Sequence, residues 1–591
     1  MPSTTSLSRE RASACGASRG RSSGLAAGGV AGHLVAVTQQ KTKARPSQFA
    51  RWWPWAAAVL SGVLLALSFA PADIGGLAFV ALVPLLAAVW IPQGGKWRGL
   101  RCLALGYVTG LVFFTTTFWW LSELAPLFYS PGLNSLPLLL AGELSLSPAL
   151  WAWLAGWIAG AHFRALPPLD PLAPFERPVL LQSSRNLGIA IFCAAAWVAL
   201  EWVRGWLIFS GFGWNALGVA MHRDLPLIQI AEFTGVGGVS FLLVMCNAIA
   251  LITVLRVRAE IGRIRLRPHF DFAVTIGLVA LAFGHGVHVL VRAQTAPADA
   301  VVLKVAAVQP NISQRDKFDI ERWPEIFERM QFLSDSAAAL SADLLLWPEA
   351  SVPGGMLSDE DTLAWVRERA AQVPAMLLGT DDLNRGAPGE DHNSAAFIQA
   401  GEKEVQFYDK QQLVPFGEYL PLRPLLGGFF GELVPGDFKP GKSPGVFSLA
   451  KPPLKLAPLI CFEDTRGGIT REQVKLGAHL LVNLTNDGWF GRTAELDQHM
   501  NDAVFRCIEN RRPMVRCTNN GITASVDSFG RVDRWLEPFT AGAATRVLMI
   551  PRTPPATFYT RHGEIFSIAC AALTALATVL IALARRATRR S

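Results

Sequence analysis

The sequence predicts a polytopic α-helical membrane domain, then an α/β domain, and a last membrane helix. The 591-residue chain is 51% hydrophobic and only 17% charged, whereas an ordinary soluble domain is about 25% charged. Its apolar residues cluster in runs near the ~20 residues that cross a bilayer. Between the last two runs, strand-like and helix-like segments alternate. These observations exclude both a plain cytosolic globular protein and a wholly disordered chain.

Residues 1–50 are predicted to be a disordered basic cytoplasmic tail. They are rich in Ser, Gly and Ala, and seven Lys or Arg residues face Glu10 alone. Such a composition cannot bury a core. The apolar run from Trp55 to Ala72 is long enough to stay in the membrane, so we do not expect a cleaved signal peptide.

Residues 51–293 are predicted to form a seven-helix transmembrane domain, followed much later by a C-terminal transmembrane helix at 565–584. The predicted spans in the first domain are 55–72, 77–92, 102–121, 136–163, 187–209, 229–254 and 272–292. Trp119, Trp120 and Tyr129 lie at span edges, as in the aromatic belt of a membrane interface.

Loop charges predict the orientation of these spans. Alternate connections and the C-terminal tail are rich in Lys and Arg, whereas loops 73–76, 122–135 and 210–228 carry only Arg223. Basic loops stay in the cytoplasm. Both termini are therefore predicted to be cytoplasmic, and the α/β domain at 300–560 is predicted to lie on the outer, periplasmic side. We attribute the net charge of +8 to this orientation and predict no nucleic-acid partner.

Several ionisable residues fall within the predicted spans, where an unpaired charge is costly. They are Glu143, Glu201, Arg204, Glu232, His285 and His288. Glu201 and Arg204 are three residues apart, on one helix face. They form either a structural pair or a site for lipid or proton handling, and the sequence leaves both open.

The block from 300 to 560 reads as one α/β domain with a large core. Predicted strands are 301–308, 344–347, 376–380, 395–399, 455–461, 479–485, 513–518 and 523–526, and predicted helices are 321–340, 470–476 and 495–510. Chemically capable residues follow three strand-like segments: Glu349, Lys410 and Cys461. Catalytic groups often lie at such strand ends.

A carboxylate, an amine and a thiol together make a nucleophilic site. A thiol attacks as thiolate, so it needs a base or a cation beside it. Glu349 can take the proton, while Lys410 and the backbone N–H after Cys461 can stabilise the oxyanion. Taken singly, each residue is more often an inert buried thiol or a solvated charge; the combination favours catalysis.

Longer segments resemble the nitrilase superfamily and, within it, the bacterial apolipoprotein N-acyltransferase family. They are VAAVQPNI from 305, LLLWPEASVP from 344, YDKQQLVPFGEYLPL from 408, LICFED from 459, LVNLTNDGWFG from 481 and RPMVRCTNNGITASVDSFG from 512. The resemblance implies an α-β-β-α sandwich with Glu349 as general base, Cys461 as nucleophile and Lys410 as stabiliser of the tetrahedral intermediate.

The same resemblance assigns further residues. Four positions are expected to support the site or the acyl-binding cleft: Glu418, Phe462, Glu463 and Trp489. Phe318 and Tyr408 are expected to act in a lid or in substrate binding. The chain departs from the family where Phe462 replaces an expected Tyr and Phe318 an expected Trp; both keep a ring, so the departures bear on substrate fit.

The implied reaction is a ping-pong acyl transfer, the last step of lipoprotein maturation in the bacterial inner membrane. The expected donor is a phospholipid, commonly phosphatidylethanolamine, and the acceptor is the S-diacylglyceryl N-terminal cysteine of an apolipoprotein. No cofactor is expected. Because both substrates are bilayer-bound, eight spans suit this reaction better than they suit a soluble amidase. We also expect the cleft to open toward the membrane, lined by apolar residues from 421–430.

Two other functions remain open: a membrane-tethered amidase that hydrolyses a C–N bond, and a non-catalytic transporter or scaffold. The eight Cys show no CxxC pair and no His cluster has metal-ligand spacing, so neither a disulfide scaffold nor a metal site is predicted. Cys507 and Cys517 are either disulfide-bonded or buried free thiols. The asparagines at 483, 486, 519 and 520 are expected to bond backbone in turns.

Overall fold

The computed structural model describes residues 48–91, 97–162, 177–206, 211–260, 269–294, 298–357, 359–382, 390–430 and 436–590. Almost all of the predicted tail at 1–50 lies outside the described residues. So do parts of the basic loops that predict the orientation.

The described part of the region before residue 293 is helical. Its helices are α1 (Gln48–Leu67), α2 (Val83–Trp90), α3 (Arg98–Thr117), α4 (Leu124–Leu127), α5 (Leu136–Leu144), α6 (Leu146–His162), α7 (Arg177–Arg204), α8 (Leu225–Ile228), α9 (Ala231–Thr234), α10 (Val236–Glu260) and α11 (Phe270–Arg292). Six helices of the described chain are long and apolar enough to cross a membrane, including the final helix. Shorter apolar helices occupy the first two predicted spans, and the fourth comprises α5 and α6.

The α/β region forms two six-stranded sheets. Its strands are β1 (Ala300–Gln309), β2 (Leu344–Trp347), β3 (Ala375–Asp382), β4 (His392–Gln399), β5 (Gln406–Asp409), β6 (Phe447–Leu449), β7 (Leu454–Ile460), β8 (Leu480–Thr485), β9 (Met514–Thr518), β10 (Ala524–Val526), β11 (Val532–Arg534) and β12 (Gly542–Pro551). The strand orders are β12-β1-β2-β3-β4-β5 and β11-β10-β9-β8-β7-β6.

The α/β region also contains helices, some of which pack on the sheets. They are α12 (Gln314–Phe318), α13 (Trp323–Ala338), α14 (Glu360–Ala370), α15 (Arg423–Phe430), α16 (Gly467–Lys475), α17 (Glu495–Asn510) and α18 (Phe558–His562), before the terminal α19 (Ile565–Arg590). Leu346 and Leu484 belong to the core between the sheets. Met330 and Val366 pack α13 and α14 on the first sheet. This is the predicted α-β-β-α sandwich beside a helical membrane domain.

Helix α17 joins the sandwich to the membrane helices. Its Met500 and Phe505 belong to one continuous core that includes Leu243 of α10 and Trp151 of α6. Fully burying an apolar side chain of this size contributes about 1.5–3 kcal/mol. The core therefore fixes the second sheet against the membrane domain.

The sequence predicts most of the buried strands but misses β6, β11 and β12. Val547 and Met549 of β12 are exposed, whereas Ala544 and Ile550 are buried. The strand pairs antiparallel with β1 along its whole length and forms an edge of the first sheet. Its apolar run is short, residues 547–550, and follows the polar residues Thr545 and Arg546, as suits an edge strand that is only partly covered.

Candidate active site

Three strand ends bring the predicted catalytic residues together. Glu349 lies two residues after β2, and Lys410 directly follows β5 in the same sheet. Cys461 directly follows β7 of the other sheet. The sandwich therefore supplies base and amine from one sheet and thiol from the other.

Lys410 lies at the centre of a buried polar cluster. Its Nζ donates to Glu349 Oε1 at 3.1 Å and to Glu418 Oε1 at 2.8 Å. Asn393 Nδ2 donates to the same two oxygens at 2.8 and 2.7 Å. The other oxygen of Glu418 accepts from the N–H of Val414 at 2.8 Å. The orientation of both carboxylates is thus fixed by hydrogen bonds.

The charge of Lys410 is stabilised by these partners. Burial alone lowers the pKa of Lys410, but the carboxylates of Glu349 and Glu418 together raise it well above its ordinary value. The side chain is therefore an ammonium at neutral pH, which is the form that can stabilise an oxyanion.

Cys461 begins a sharp turn after its strand. Its φ is +51°, an uncommon backbone conformation for a residue with a Cβ, and its carbonyl accepts from Asn483 Nδ2 at 3.1 Å. Burial first, and then the charge of Glu349, raises the pKa of Cys461 to about 12, against the opposing effects of Lys410 and His499. The resting group is a thiol, so attack on a carbonyl requires a base beside it.

The carboxylate of Glu463 accepts hydrogen bonds from both strand ends next to the turn. It accepts from the N–H groups of Ile460 at 2.8 Å, Gln411 at 2.7 Å and Gln412 at 3.2 Å. Tyr408 also donates its hydroxyl to Glu463, at 3.0 Å. Tyr408 is 3% exposed, so it supports Glu463 and does not form a lid; a role of Tyr408 in substrate binding stays a prediction. Glu463 ties the strand end of Lys410 to that of Cys461.

Phe462 contacts the membrane domain. Its ring stacks on Trp214 at a centroid distance of 5.8 Å and on Phe212 at 6.0 Å. Both partners belong to the loop between α7 and α8. The membrane domain therefore forms part of the wall next to the nucleophile.

A second aromatic row connects the expected lid with the membrane helices. The Phe318 ring lies 6.1 Å from Trp489, which stacks on Phe128 at 6.2 Å. Phe318 is 68% exposed, which suits a lid. Its neighbour Lys317 donates to the carbonyl of Glu349 at 3.3 Å and to that of the next residue at 2.9 Å. The position of this short helix, α12, is thus tied to the base.

A buried ion cluster lies behind the turn of Cys461. Asp464 accepts from both Arg516 and His499, the latter at 2.8 Å. His499 also contacts Asp487 at 3.1 Å and Glu495 at 3.5 Å. Although burial lowers the pKa of His499, the charge of Asp464 raises it well above its ordinary value. His499, Asp487 and Glu495 also lie close enough together to share a metal ion, a grouping that their spacing in the sequence did not indicate.

The remaining cysteines and asparagines have structural roles. Cys507 and Cys517 are buried free thiols, which is one of the two predicted alternatives. Asn519 Nδ2 donates to the carbonyl of Ile312 at 2.7 Å, and Asn486 accepts from the N–H of Gly488 at 3.4 Å. The expected backbone bonding is present at Asn483, Asn486 and Asn519, whereas the side-chain oxygen of Asn520 is buried without a hydrogen-bond partner among the described residues.

The region 421–430 contains the amphipathic helix α15. Leu422 and Leu425 are 62% and 72% exposed, as expected of an apolar rim. The direction in which the cleft opens stays a prediction.

Sequence reasoning did not identify Asn393, Phe212 or Trp214. Asn393 lies at the start of β4 with no motif that indicates its bonds to two carboxylates. Phe212 and Trp214 are about 250 residues from Cys461 in the chain, so only the tertiary fold reveals their contacts.

Comparison with known proteins identifies the family. Residues 61–249 match the model of the apolipoprotein N-acyltransferase N-terminal domain, and residues 304–544 match the carbon-nitrogen hydrolase model. The apolipoprotein N-acyltransferase of Geobacter metallireducens is 32% identical over 537 residues, covering 88% of this chain and 94% of that protein. The chain belongs to the apolipoprotein N-acyltransferase family. The apolipoprotein N-acyltransferase of Azotobacter vinelandii is 33% identical to this chain, and the match covers 82% of this chain and 86% of that protein.

Among solved structures, an amidase from Nesterenkonia sp. is similar, with a TM-score of 0.34 and 17% sequence identity. The match covers 46% of this chain and 97% of the amidase chain. Membership of the apolipoprotein N-acyltransferase family confirms the predicted enzyme class and the nitrilase-like fold. Together with the apolar helices, it also confirms a bacterial membrane protein.

Proposed function

We propose that this enzyme N-acylates the diacylated N-terminal cysteine of apolipoproteins through a thioester on Cys461. The supporting observation is the cluster of Glu349, Lys410 and Cys461 at strand ends beside a membrane domain. A base, a fixed cation and a thiol are the groups that acyl transfer requires.

In the first half-reaction, Glu349 takes the thiol proton and the sulfur attacks the ester carbonyl of a phospholipid. Lys410 and the N–H of Phe462 stabilise the oxyanion of the tetrahedral intermediate. As that intermediate collapses, the ester C–O bond breaks and Glu349 returns the proton to the departing oxygen. The products are a lysophospholipid and the Cys461 thioester.

In the second half-reaction, the neutral α-amino nitrogen of the acceptor attacks the thioester. Glu349 takes a proton from the attacking nitrogen, the C–S bond breaks, and the sulfur is reprotonated. The acceptor gains an amide-linked acyl chain, and the enzyme returns to its starting state.

Both substrates are held by the membrane. The donor is proposed to be a phospholipid such as phosphatidylethanolamine, and the acceptor an S-diacylglyceryl cysteine. Each buried CH₂ contributes about 0.8 kcal/mol to membrane retention. Confining both substrates to one plane lowers the entropic cost of their encounter.

The proposed layout is multi-pass in the inner membrane, with the catalytic domain at 300–560 on the periplasmic side and both termini in the cytoplasm. One contact supports it. Arg585, near the end of α19, donates to the carbonyl of Trp157, near the end of α6, at 2.9 Å. These helix ends are both predicted to be cytoplasmic, and they lie together.

The test is transfer of a labelled acyl chain from phospholipid to a diacylated lipopeptide by the purified full chain. We expect transfer by the parent enzyme and none by Cys461→Ala. Mass spectrometry without acceptor should find a long-chain acyl adduct on Cys461. Transfer at the parental rate by Cys461→Ala would refute the proposal.

The membrane-tethered amidase is the alternative. It predicts that the thioester is resolved by water, so that free fatty acid accumulates even when acceptor is abundant. An acylated lipopeptide as the main product would exclude it.

A further inference from the structure

Helix α7 carries two charged residues, Glu201 and Arg204, that the proposed reaction does not use. Arg204 is 9% exposed. Its Nη2 donates to the carbonyl of Trp214 at 2.9 Å and to that of Gly213 at 3.5 Å. Glu201 accepts from the N–H of Leu217 at 2.7 Å and from Trp197 Nε1 at 2.7 Å.

Both side chains therefore hold one segment, residues 211–217, which we name the aromatic loop. Arg204 binds its middle through carbonyl oxygens, and Glu201 binds its last N–H. The backbone also returns closely to α7: Phe212 N–H donates to the carbonyl of Arg204 at 3.1 Å. At Gly211, with φ +82°, a Cβ would lie 2.0 Å from the carbonyl oxygen of Gly205. The loop has little freedom to move.

The aromatic loop presents two rings to the nucleophile's neighbour. Phe212 and Trp214 are stacked at 5.9 Å with 9° between their planes. Each lies within 16° of parallel to the Phe462 ring, at 6.0 and 5.8 Å. On its far side, Asn215 Nδ2 donates to Gln498 of α17 at 3.2 Å. The loop thus contacts both the turn that carries Cys461 and helix α17.

We propose that Glu201 and Arg204 are positioning residues that hold the aromatic loop so that Phe212 and Trp214 fix the orientation of Phe462. The N–H of Phe462 stabilises the oxyanion, so its direction determines how well the transition state is bound. This role rests on the proposed function. Charge inside α7 is costly, and two charge-assisted bonds to a loop of the active site explain its presence.

The test is a double-mutant cycle with Arg204→Met and Trp214→Ala in the full chain. The readout is the single-turnover rate of Cys461 acylation from saturating phospholipid. We expect each variant to lose about tenfold or more in rate with the KM for phospholipid changed less than twofold. If Arg204 acts through the loop, the double variant loses no more than the worse single variant. If the rate loss of the double variant equals the product of the two single losses, the proposal is overturned. A normal acylation rate for Arg204→Met would also overturn it.

Arg256→Met is the matched control. Arg256 forms an ion pair among the membrane helices, with Asp271 at 3.1 Å, and this pair lies outside the aromatic loop. When Arg256→Met is combined with Trp214→Ala, the loss in acylation rate should equal the product of the two single losses. Should Arg204→Met not fold, Arg204→Lys takes its place in the same cycle. Hydrogen exchange of residues 211–217 should quicken in the Arg204 variant and stay normal in the control; unchanged exchange would overturn the proposal.

These experiments distinguish a failure of the proposed function from a failure of the positioning role. Absence of a Cys461 acyl adduct in the parent enzyme would refute the function itself. A parental adduct together with an unaffected Arg204 variant would refute only the positioning role.

Discussion

Glu349 and Glu418 share the ammonium of Lys410, and Asn393 bonds to both carboxylates. A carboxylate taken out of water is tolerated only when it is paired. The cluster therefore pairs Glu349 with a cation and fixes the direction of its carboxyl group. Catalysis and local stability depend on the same ammonium.

Lys410→Met should remove the contributions of this ammonium to catalysis and to local stability. Removal of the cation leaves two buried carboxylates uncompensated, which costs about 3–5 kcal/mol of unfolding free energy. Loss of an oxyanion donor should lower the acylation rate by about 10²–10³. Thermal unfolding and single-turnover acylation measure the two effects. The control is Lys403→Met, at an exposed position. A Lys410 variant with the same stability and acylation rate as this control would contradict this account.

The thiol of Cys461 should react slowly at neutral pH. Burial raises its pKa to about 12, so the thiolate fraction should grow about tenfold for each pH unit through the range 7 to 10. We expect the rate of alkylation by iodoacetamide, measured by mass spectrometry, to rise in the same proportion. Cys461→Ala gives the background from other thiols. A rate that levels off near pH 8 would show that the thiol is already activated without substrate.

Glu349, Lys410 and Cys461 could be predicted because each follows a strand-like run, and strand ends meet at sheet edges. Asn393 could not, because nothing in the chain indicates that its amide reaches two carboxylates. The lid alternative for Tyr408 failed for a related reason: its ring belongs to the core and its hydroxyl donates to Glu463, and the sequence does not show which way one side chain points.

Helix α17 is the element that joins the two domains. Its bounds, Glu495–Asn510, were predicted from the sequence. Nearly all of its residues are buried, because one face packs on the second sheet and the other on the membrane helices. A polar residue on such a helix looks solvent-exposed in sequence, so this docking role could not be predicted.

Gln498 is the clearest case of docking by α17. Its Oε1 accepts from Trp120 Nε1 and from Asn215 Nδ2, both at 3.2 Å. Its Nε2 donates to the carbonyls of Ala70 and Thr117, both at 3.0 Å. All four partners belong to the membrane domain.

Gln498→Leu should therefore loosen the docking of the catalytic domain. Each buried polar group left without a partner costs about 1–3 kcal/mol, so we expect a loss of at least about 3 kcal/mol in unfolding free energy. Gln372→Leu, which removes an exposed bond to Asp335, should change it by less than about 0.5 kcal/mol. Denaturant unfolding of the detergent-solubilised chain measures both. Equal stability of the two variants would rule out this role for Gln498.

Across the whole molecule, buried acids make stability depend on pH. Burial raises the pKa of four carboxyl groups to about 7: Glu463, Glu495, Asp502 and Glu509. In the unfolded chain these groups titrate near 4. Between pH 4 and 7 the folded state therefore binds more protons, so stability falls as pH rises through this range.

We expect the unfolding midpoint to be higher at pH 5.5 than at pH 8. His499 acts in the same direction, because its pKa is raised and its bonds to Asp464 and Asp487 weaken as it loses its proton. Thermal unfolding in one detergent at several pH values measures the effect. Glu463→Gln, which removes one of the titrating groups, should reduce the slope. A midpoint that rises steadily toward pH 8 would contradict these assignments.

We predict the orientation of the whole molecule from charge rather than from packing. Arginines cluster at the end of α19, and the catalytic domain packs where α7 ends, at Arg204 and the aromatic loop. A membrane-impermeant maleimide can test this in spheroplasts, using a cysteine at an exposed position on each side. Glu321→Cys should react in intact spheroplasts, and Arg586→Cys only after permeabilisation, because basic segments are retained in the cytoplasm. The parent chain, whose described cysteines are buried or half-buried, gives the background. Labelling in the reverse order would put the catalytic domain in the cytoplasm and remove its access to lipoprotein acceptors on the outer face.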